Sequence, residues 1–283
     1  MASPQIMGRP EGRRRLVVNA DDFGRSRSIN EAVLRAHREG ILTTASLMVT
    51  GEASDEAVAM ARATPTLGVG LHLTLVQGMS VLPETRIPGL VNSDGRFLDN
   101  ASLAGFRYWR RRELRESLRA ELAAQFERFR STGLTLDHVD GHLHLHLHPV
   151  VFDLLAGHAR EWGLERMRLT RDSLRTSLRV QKGRWLYRLS HAVIFSILAR
   201  RAKPVLARLK VRYTDAVFGL LAGGAVSERY LLDLLPHLPR GDSELYAHPS
   251  MDRFRHEFEA LVSPRVRRLA DELGVERVRY RDL

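Results

Sequence analysis

Short apolar segments alternate with helical segments along most of this chain, and this alternation constrains the fold more than any other feature of the sequence. It is typical of a parallel sheet covered by helices, which forms either a β/α barrel or an open doubly wound sheet. A doubly wound nucleotide-binding sheet carries a glycine-rich turn after its first strand. Here the first apolar segment, Leu16–Val18, leads instead into Asp21-Asp22-Phe23-Gly24. The sequence therefore predicts an α/β fold of the (β/α) barrel type.

Element boundaries follow from apolar periodicity and capping residues. A helix is predicted from the capping-box sequence at Ser28 to Gly40, and a later one over residues 110–131. Residues 76–100 contain two prolines and several glycines and are expected to form an irregular excursion. After the first strand, further strands are predicted over residues 43–49, 67–75 and 135–139, and near Met167, Leu245 and Val278.

Positive charge is concentrated in one part of the chain. The 283 residues carry 44 Lys and Arg against 33 Asp and Glu, a formal net charge of +11. Residues 166–212 hold 14 of the basic residues and a single acid, Asp172. The remainder is close to neutral, which argues against a uniformly basic nucleic-acid-binding protein. We predict one domain over residues 14–283, with a basic amphipathic insertion at about 171–225 and a flexible tail over residues 1–13.

Cysteine content and hydropathy exclude several protein classes. The chain has no cysteine, which excludes disulfide scaffolds, Cys-ligated zinc sites and thiol catalysis. The first 15 residues lack the apolar core of a secretory signal. In the basic segment, the longest run without a formal charge is Leu189–Ala199, shorter than the ~20 residues of a transmembrane helix. A cytoplasmic protein without a membrane-spanning helix is expected.

Carboxylate and imidazole side chains recur where the predicted strands end. Asp21 and Asp22 end the first strand, His72 lies within residues 67–75, His142 follows residues 135–139, and His248 follows the late strand. In parallel β/α folds these strand ends meet at the face that carries the active site. Two imidazoles and one carboxylate suit a catalytic divalent metal ion. Beside it, a second carboxylate can act as general base and another histidine as general acid.

Alternating histidines occupy residues 142–148. An extended segment would place four imidazoles on one face, which is more than one metal ion needs. His142 is nearest the strand end and is the predicted ligand. His144 and His146 are interpreted either as groups behind the ligands or as substrate contacts. His148 precedes a proline at a predicted helix start.

Four of these segments together resemble the sequence signatures of the YdjC-like carbohydrate deacetylases. They are Val18–Gly24 (VNADDFG), Gly68–Leu75 (GVGLHLTL), His138–His146 (HVDGHLHLH) and Ala247–Pro249 (AHP). Residues 280–282 also resemble the usual ending of that family, so the similarity runs from about residue 14 to residue 283. The resemblance implies a distorted TIM barrel related to polysaccharide deacetylases, and metal-dependent removal of acetyl groups from N-acetylated sugars.

The resemblance also implies roles for individual residues. Asp22, His72 and His142 match the metal ligands of the family, and zinc or magnesium is the expected ion. Asp21 matches the neighbouring aspartate, a candidate general base. His248 matches the histidine of the late His-Pro motif, a candidate general acid.

Three further residues are predicted substrate contacts: His144, His146 and Arg168, the last lying where the family often has a basic residue at a strand end. The histidine motif departs from the common form Asp-Ser-His-His-His-x-His, because Gly141 and Leu143 replace the serine and the middle histidine. It resembles instead the branch associated with hopanoid biosynthesis, which implies a lipid-linked N-acetylglucosamine substrate. A soluble chitooligosaccharide substrate is the alternative, as is another metal-dependent activity on an ester or phosphoester.

The basic segment contains an amphipathic helix that fits a lipid-linked substrate. Over residues 184–198, Trp185, Leu189 and Val193 belong to one apolar stripe at 100° per residue, and Arg188 lies opposite. Such a stripe beside basic residues is typical of a helix at an anionic lipid surface, so peripheral contact with the inner membrane face is expected. A core helix with a solvated basic face is the alternative. Nucleic acid is not an expected partner, since no recognition motif accompanies the charge.

Overall fold

The computed structural model describes residues 12–283, and residues 1–11 of the predicted tail lie outside the described residues. Its strands are β1 (Arg14–Phe23), β2 (Thr44–Leu47), β3 (Gly68–Leu73), β4 (Leu136–Gly141), β5 (Ala216–Phe218), β6 (Gly241–Ala247) and β7 (Val275–Arg277). Its α-helices are α1 (Arg27–Glu39), α2 (Ser54–Arg62), α3 (Ala101–Arg110), α4 (Leu114–Ser131), α5 (Pro149–Gly157), α6 (Ala159–Trp162), α7 (Leu174–Val180), α8 (Trp185–Leu209), α9 (Glu228–Leu234), α10 (Arg255–Val262) and α11 (Pro264–Glu272).

The strands form one parallel sheet in the order β4-β3-β2-β1-β6-β5. The strand β7 pairs with the first residues of β1, while β2 pairs with the last ones. Every residue of β1 from Leu16 to Phe23 is buried, as expected for a parallel strand covered on both faces. The carboxyl end of β1 therefore opens at the centre of the sheet, between β2 and β6.

Backbone hydrogen bonds continue the sheet beyond β4 and curl it into a barrel. Val139 in β4 donates its N–H to the carbonyl of Arg166 at 3.0 Å, and Met167 donates to Arg212 at 2.9 Å. A few residues after Arg212 the chain enters β5, which pairs with β6. The predicted barrel-like α/β fold is confirmed, and α7 and α8 form the crossover between two adjacent parallel segments of it.

Two local predictions differ from the structure. The N-cap of α1 is Ser26, whose hydroxyl accepts the N–H of Ile29 at 3.3 Å; Ser28 lies inside the helix, where its hydroxyl accepts the N–H of Met251. The region predicted as one helix over 110–131 is α4 alone, which begins at Leu114. Before it lies α3, for which no helix was predicted. Within residues 12–283, no helix has both the length and the apolar character that crossing a bilayer requires.

Candidate active site

Three predicted ligands meet where β1, β3 and β4 end. The potential ligand atoms of Asp22, His72 and His142 all lie within 4.8 Å of one another, and all three residues are buried. Asp22 Oδ1 is 2.8 Å from His142 Nδ1 and 3.4 Å from His72 Nε2. Asp22 has φ of 65°, a left-handed conformation that an aspartate tolerates better than most residues and that ends the strand at this point.

The unsatisfied atoms of this cluster fit a metal ion. Asp22 Oδ1 and His72 Nε2 are buried, and among residues 12–283 neither makes a hydrogen bond of good geometry, although the two atoms lie 3.4 Å apart and Asp22 Oδ1 also lies close to His142. Leaving such atoms unpaired costs roughly 1–3 kcal/mol each, and a divalent cation between them would satisfy both. One carboxylate and two imidazoles leave coordination positions open, as catalytic metal sites do. These donors accept several divalent ions, so the set does not fix the metal's identity.

The second nitrogen of His72 is held by a carboxylate. His72 Nδ1 lies 2.8 Å from Asp140 Oδ1, which orients the ring and directs Nε2 towards Asp22. Asp140 in turn accepts a hydrogen bond from Ser46 Oγ at 2.8 Å. Burial opposes the charged form of His72, but Asp140 and Asp22 outweigh it and raise the pKa of His72 to about 10 in the absence of a cation. This anionic surrounding favours a bound cation in the same place.

A second set, Asp21, His72 and Asp140, has equally close ligand atoms but fits a metal ion less well. Arg168 donates two hydrogen bonds to the Asp21 carboxylate, at 2.7 and 2.8 Å, and lies 2.9 Å from Asp140 Oδ2. Asn19 Nδ2 adds a further bond to Asp21 Oδ1 at 2.8 Å. The negative charges of both carboxylates are therefore already compensated by protein groups. The buried atoms without a good hydrogen bond belong to the first set.

Arg168 is the centre of a buried ion cluster. It is fully buried, and besides Asp21 and Asp140 its guanidinium binds Glu244 at 2.8 Å and lies 4.5 Å from the ring centroid of Tyr246. Burial opposes its charge, but the carboxylates outweigh it and raise the pKa of Arg168. Substrate contact by Arg168 stays a prediction, and the full burial of the side chain favours a supporting role instead. Arg168 fixes Asp21 at the edge of the site.

The histidine run does not form the extended segment that its alternation suggested. Residues His142–Leu147 form a 3-10 turn in which Leu143 and His144 have φ of 50° and 58°. His146 is fully buried, with Nε2 3.1 Å from the carbonyl of Arg168, and burial lowers its pKa to about 4. Substrate contact by His146 stays a prediction, and its burial favours the other interpretation, a group behind the ligands. His144, partly exposed and 2.9 Å from the hydroxyl of Tyr246, is the one of the two that a substrate can reach.

His248 lies just beyond the end of β6, where its side chain is 29% exposed. Its backbone N–H donates to Glu257 Oε2, and its Nδ1 lies 3.7 Å from the same oxygen. Burial opposes protonation, but the hydrogen bond to Glu257 and the charges of Asp21, Glu257 and Asp22 outweigh it and raise the pKa of His248 to about 9. The imidazole therefore carries a proton at neutral pH, which suits a general acid.

Three residues at the site were not predicted as functional. Asp140 precedes His142 by two positions, so strand periodicity places both on one face, and this signal was available. Glu257 comes from α10, and nothing in the sequence connects it with His248. Gln77 has φ of 52° and places its Oε1 3.3 Å from His142 Nε2; it lies in the stretch that we predicted to be irregular.

Curated relatives share about half of this chain. A carbohydrate deacetylase of Brevibacillus brevis is 40% identical over 151 residues, which are 52% of this chain and 56% of the relative. A carbohydrate deacetylase of Geobacillus stearothermophilus is 40% identical over 162 residues, 57% and 60% of the two chains. A chitooligosaccharide deacetylase of Escherichia fergusonii is 35% identical over 166 residues, 57% and 61%. The matched region thus spans less than two thirds of these relatives.

Solved structures show the same fold over nearly the whole chain. A candidate cellobiose-phosphate cleavage protein of Enterococcus faecalis V583 superposes with a TM-score of 0.75 at 24% identity, covering 95% of this chain and 98% of its own. An uncharacterised protein of Agrobacterium tumefaciens C58 superposes with a TM-score of 0.51 at 14% identity, covering 95% and 89%. The family model of the YdjC-like proteins matches residues 15–272. The chain therefore belongs to the YdjC-like protein family.

Proposed function

We propose that this protein is a metal-dependent hydrolase that removes the acetyl group from an N-acetylglucosamine-type sugar. The observation that carries the proposal is the cluster of Asp22, His72 and His142, whose buried unpaired atoms converge at the strand ends. Asp21 and His248 supply a candidate base and a candidate acid at the same edge of the barrel. The names of the curated relatives support an N-acetylated sugar as substrate.

The three ligands would hold a divalent ion, which polarises a carbonyl oxygen and lowers the pKa of water when bound. Asp21 then serves as general base. Its carboxylate is held in one orientation by the two hydrogen bonds from Arg168. The negative charge of this carboxylate is compensated by Arg168, and the carboxylate is not one of the metal ligands. It is therefore available to take a proton from the attacking water. Zinc or magnesium remains the expected ion.

The reaction balances with these groups. The water oxygen bonds to the acetyl carbon, one water proton passes to Asp21, and the carbon–nitrogen bond breaks as acetate forms. The departing nitrogen takes the proton of His248, which leaves the sugar with a free amine. His248 carries that proton at neutral pH because Glu257 and nearby aspartates stabilise the imidazolium. The residues in these roles come from the ends of four strands of one barrel, because Asp21 and Asp22 share the end of β1.

Acetate release tests this proposal directly. The metal-loaded protein should release acetate from N-acetylglucosamine oligomers, and chelation followed by metal return should abolish and restore the reaction. An esterase with the same ligands would release acetate only from O-acetyl esters. A phosphoesterase with the same ligands would release phosphate instead. Acetate-free turnover of a phosphoester would therefore refute the amide-hydrolase proposal.

We further propose that the acetylated sugar is lipid-linked, as in the hopanoid-associated branch, and that the enzyme works as a peripheral protein at the cytoplasmic membrane face. The support is the orientation of α8. Its apolar side chains point away from the barrel and are 46–65% exposed: Trp185, Leu186, Leu189, Val193, Ile194 and Ile197. The side of α8 that faces the barrel carries small residues, including Ala199 and Ala202, together with the buried Arg188. The apolar stripe is thus free to contact lipid, contrary to the core-helix alternative.

Vesicle co-sedimentation tests the role of this stripe. The double variant Trp185→Glu/Leu189→Glu should lose binding to anionic vesicles and lose activity on a vesicle-borne N-acetylglucosaminyl lipid. It should keep activity on a soluble chitooligosaccharide. The matched control Ala207→Glu/Leu209→Glu places the same charges at the far end of α8 and should bind as the unaltered protein does. Equal behaviour of both variants would favour a soluble chitooligosaccharide deacetylase.

A further inference from the structure

A second amphipathic surface lies across the site from α8, on α3. Leu103, Phe106 and Trp109 are 54%, 56% and 65% exposed, although they lie on a helix that packs against the protein with Ala104 and Tyr108. The hydroxyl of Tyr108 donates to the carbonyl of Leu75, just past the end of β3, at 2.6 Å. The helix is therefore fixed at the end of the barrel that carries the site.

The helices α3 and α8 flank the same 3-10 turn at the mouth of the site. On the α3 side, the rings of Tyr108 and His148 are 6.2 Å apart. On the α8 side, the ring of Phe195 lies 5.3 Å from that of His144. Between the two helices the turn exposes Leu143, at 44%. Apolar side chains thus rim the site from two directions.

A cavity of about 280 Å³ opens beside Trp109, between α3, α4 and α5. Three arginines line it, Arg111, Arg112 and Arg115. None of the three has an ion pair or a side-chain hydrogen bond within residues 12–283. The one acid in the lining is Asp153, and both of its oxygens accept from Arg201 of α8, at 2.7 and 2.9 Å. Three exposed arginines without an ion pair among the described residues therefore line one concave surface.

We propose that this three-arginine cavity binds the phosphate of an anionic membrane phospholipid. Guanidinium groups bind phosphate oxygens in pairs of hydrogen bonds, and three of them offer more donors than one phosphate can accept. Trp109 lies at the rim of the cavity, where an indole suits the boundary between headgroups and acyl chains. Positive charge suits either a lipid phosphate or a free anion, and the adjoining exposed apolar side chains of α3 select the lipid surface.

The inference rests on the proposed function in one respect, since a docked membrane is useful when the acetylated sugar is lipid-linked. Contact through both α3 and α8 would hold the mouth of the site against the bilayer, whereas α8 alone would leave the protein free to tilt. The phosphate cavity thus adds orientation to an attachment that the apolar stripe of α8 provides. The three arginines of the cavity lie outside residues 166–212, the segment in which basic residues are concentrated.

Binding of the full-length protein to vesicles tests the cavity. The variant Arg111→Ser/Arg112→Ser/Arg115→Ser should partition about 100-fold more weakly onto vesicles of phosphatidylcholine with phosphatidylglycerol, which corresponds to about 3 kcal/mol for three basic residues at an anionic surface. The matched control changes three exposed arginines of α11, Arg265, Arg267 and Arg268, to serine and should lose less than about 5-fold.

Two outcomes would overturn the proposal. The first is equal partitioning of the cavity variant and the α11 control. The second is a protein that does not bind vesicles but is thermally stabilised by inorganic phosphate relative to chloride at the same ionic strength. If this stabilisation depends on the three cavity arginines, the cavity binds free phosphate rather than a phospholipid. Deacetylation of soluble N-acetylglucosamine oligomers is measured in parallel. Its absence with intact vesicle binding would refute the proposed function while leaving the cavity assignment standing.

Discussion

Replacement of Arg168 by methionine tests how the buried ion cluster supports the site. The variant keeps the side-chain stem but leaves Asp21, Asp140 and Glu244 in the interior without the cation that lies 2.7–2.9 Å from each. Removing one partner of a buried ion pair costs roughly 3–5 kcal/mol. At about 2–3 °C per kcal/mol for a chain of this size, the melting temperature should fall by roughly 6–15 °C.

Arg201→Met is the matched control. Arg201 also binds a carboxylate with two hydrogen bonds, but it and Asp153 are 43% and 41% exposed. Exposed pairs contribute about 0–1 kcal/mol, so the control should melt within roughly 3 °C of the unaltered protein. Circular dichroism of chelator-treated samples measures both variants without a contribution from bound metal.

The pH dependence supplies an independent check. Burial alone would raise the pKa of Asp140, but Arg168 and His72 outweigh it and hold that pKa well below the usual value. A carboxylate with a depressed pKa stabilises the folded protein above its unfolded pKa and loses this contribution as the pH falls. Without Arg168 that contribution shrinks, so the difference in melting temperature should persist from pH 7 to about pH 4 and narrow only below the ordinary carboxylate pKa of about 3.9. A difference at pH 7 no larger than that of Arg201→Met would refute the reasoning.

Two further predictions concern the reaction. Asp22→Asn should lose metal in equilibrium dialysis, whereas Asp21→Asn should retain it and lose roughly 10²–10⁴-fold in kcat, as expected for a missing general base; equal metal retention with a fully active Asp21→Asn would contradict this division. Glu257→Gln removes the main group that raises the pKa of His248, so the alkaline limb of the kcat/KM profile should move to lower pH. A bound cation shifts the pKa of His248 alike in both proteins, so its effect cancels in the comparison. An alkaline limb that does not move would show that His248 is not the general acid.

The parts of the site that could be predicted are those carried by strand ends. Asp21, Asp22, His72 and His142 lie in or beside apolar segments whose parallel arrangement brings their carboxyl ends together, so sequence position alone indicated proximity. Local turn geometry could not be predicted in the same way. Alternation over residues 142–148 suggested an extended segment, but two consecutive left-handed residues bend it into a 3-10 turn that hides His146.

Long-range packing explains the remaining differences. The periodicity of α8 identified an apolar stripe but not the side on which the barrel lies, because small residues such as Ala199 and Ala202 also let a helix approach a sheet closely. The enclosure of Arg168 by three carboxylates depends on side chains that are 28 to 147 residues away in sequence. Glu257 follows His248 by only nine residues, yet it reaches the backbone N–H and the imidazole of His248 only because the intervening loop folds back. Such contacts cannot be predicted from the spacing of residues in the sequence.

The pairing of β1 with β6 has a consequence for the order in which the protein is completed. The strand that carries Asp21 and Asp22 pairs with two strands from the far end of the chain, β6 and β7. Along β6, Ala20 pairs with Ala247, 227 residues later. At synthesis rates of about 5–20 residues per second, that neighbour leaves the ribosome roughly 10–45 s after β1. Until then β1 has an open edge, the kind of edge that pairs with other chains. Asp22, one of the three predicted ligands, and the neighbouring Asp21 thus belong to the earliest strand to be made and one of the last to be enclosed, which makes the nascent chain a natural client for chaperones.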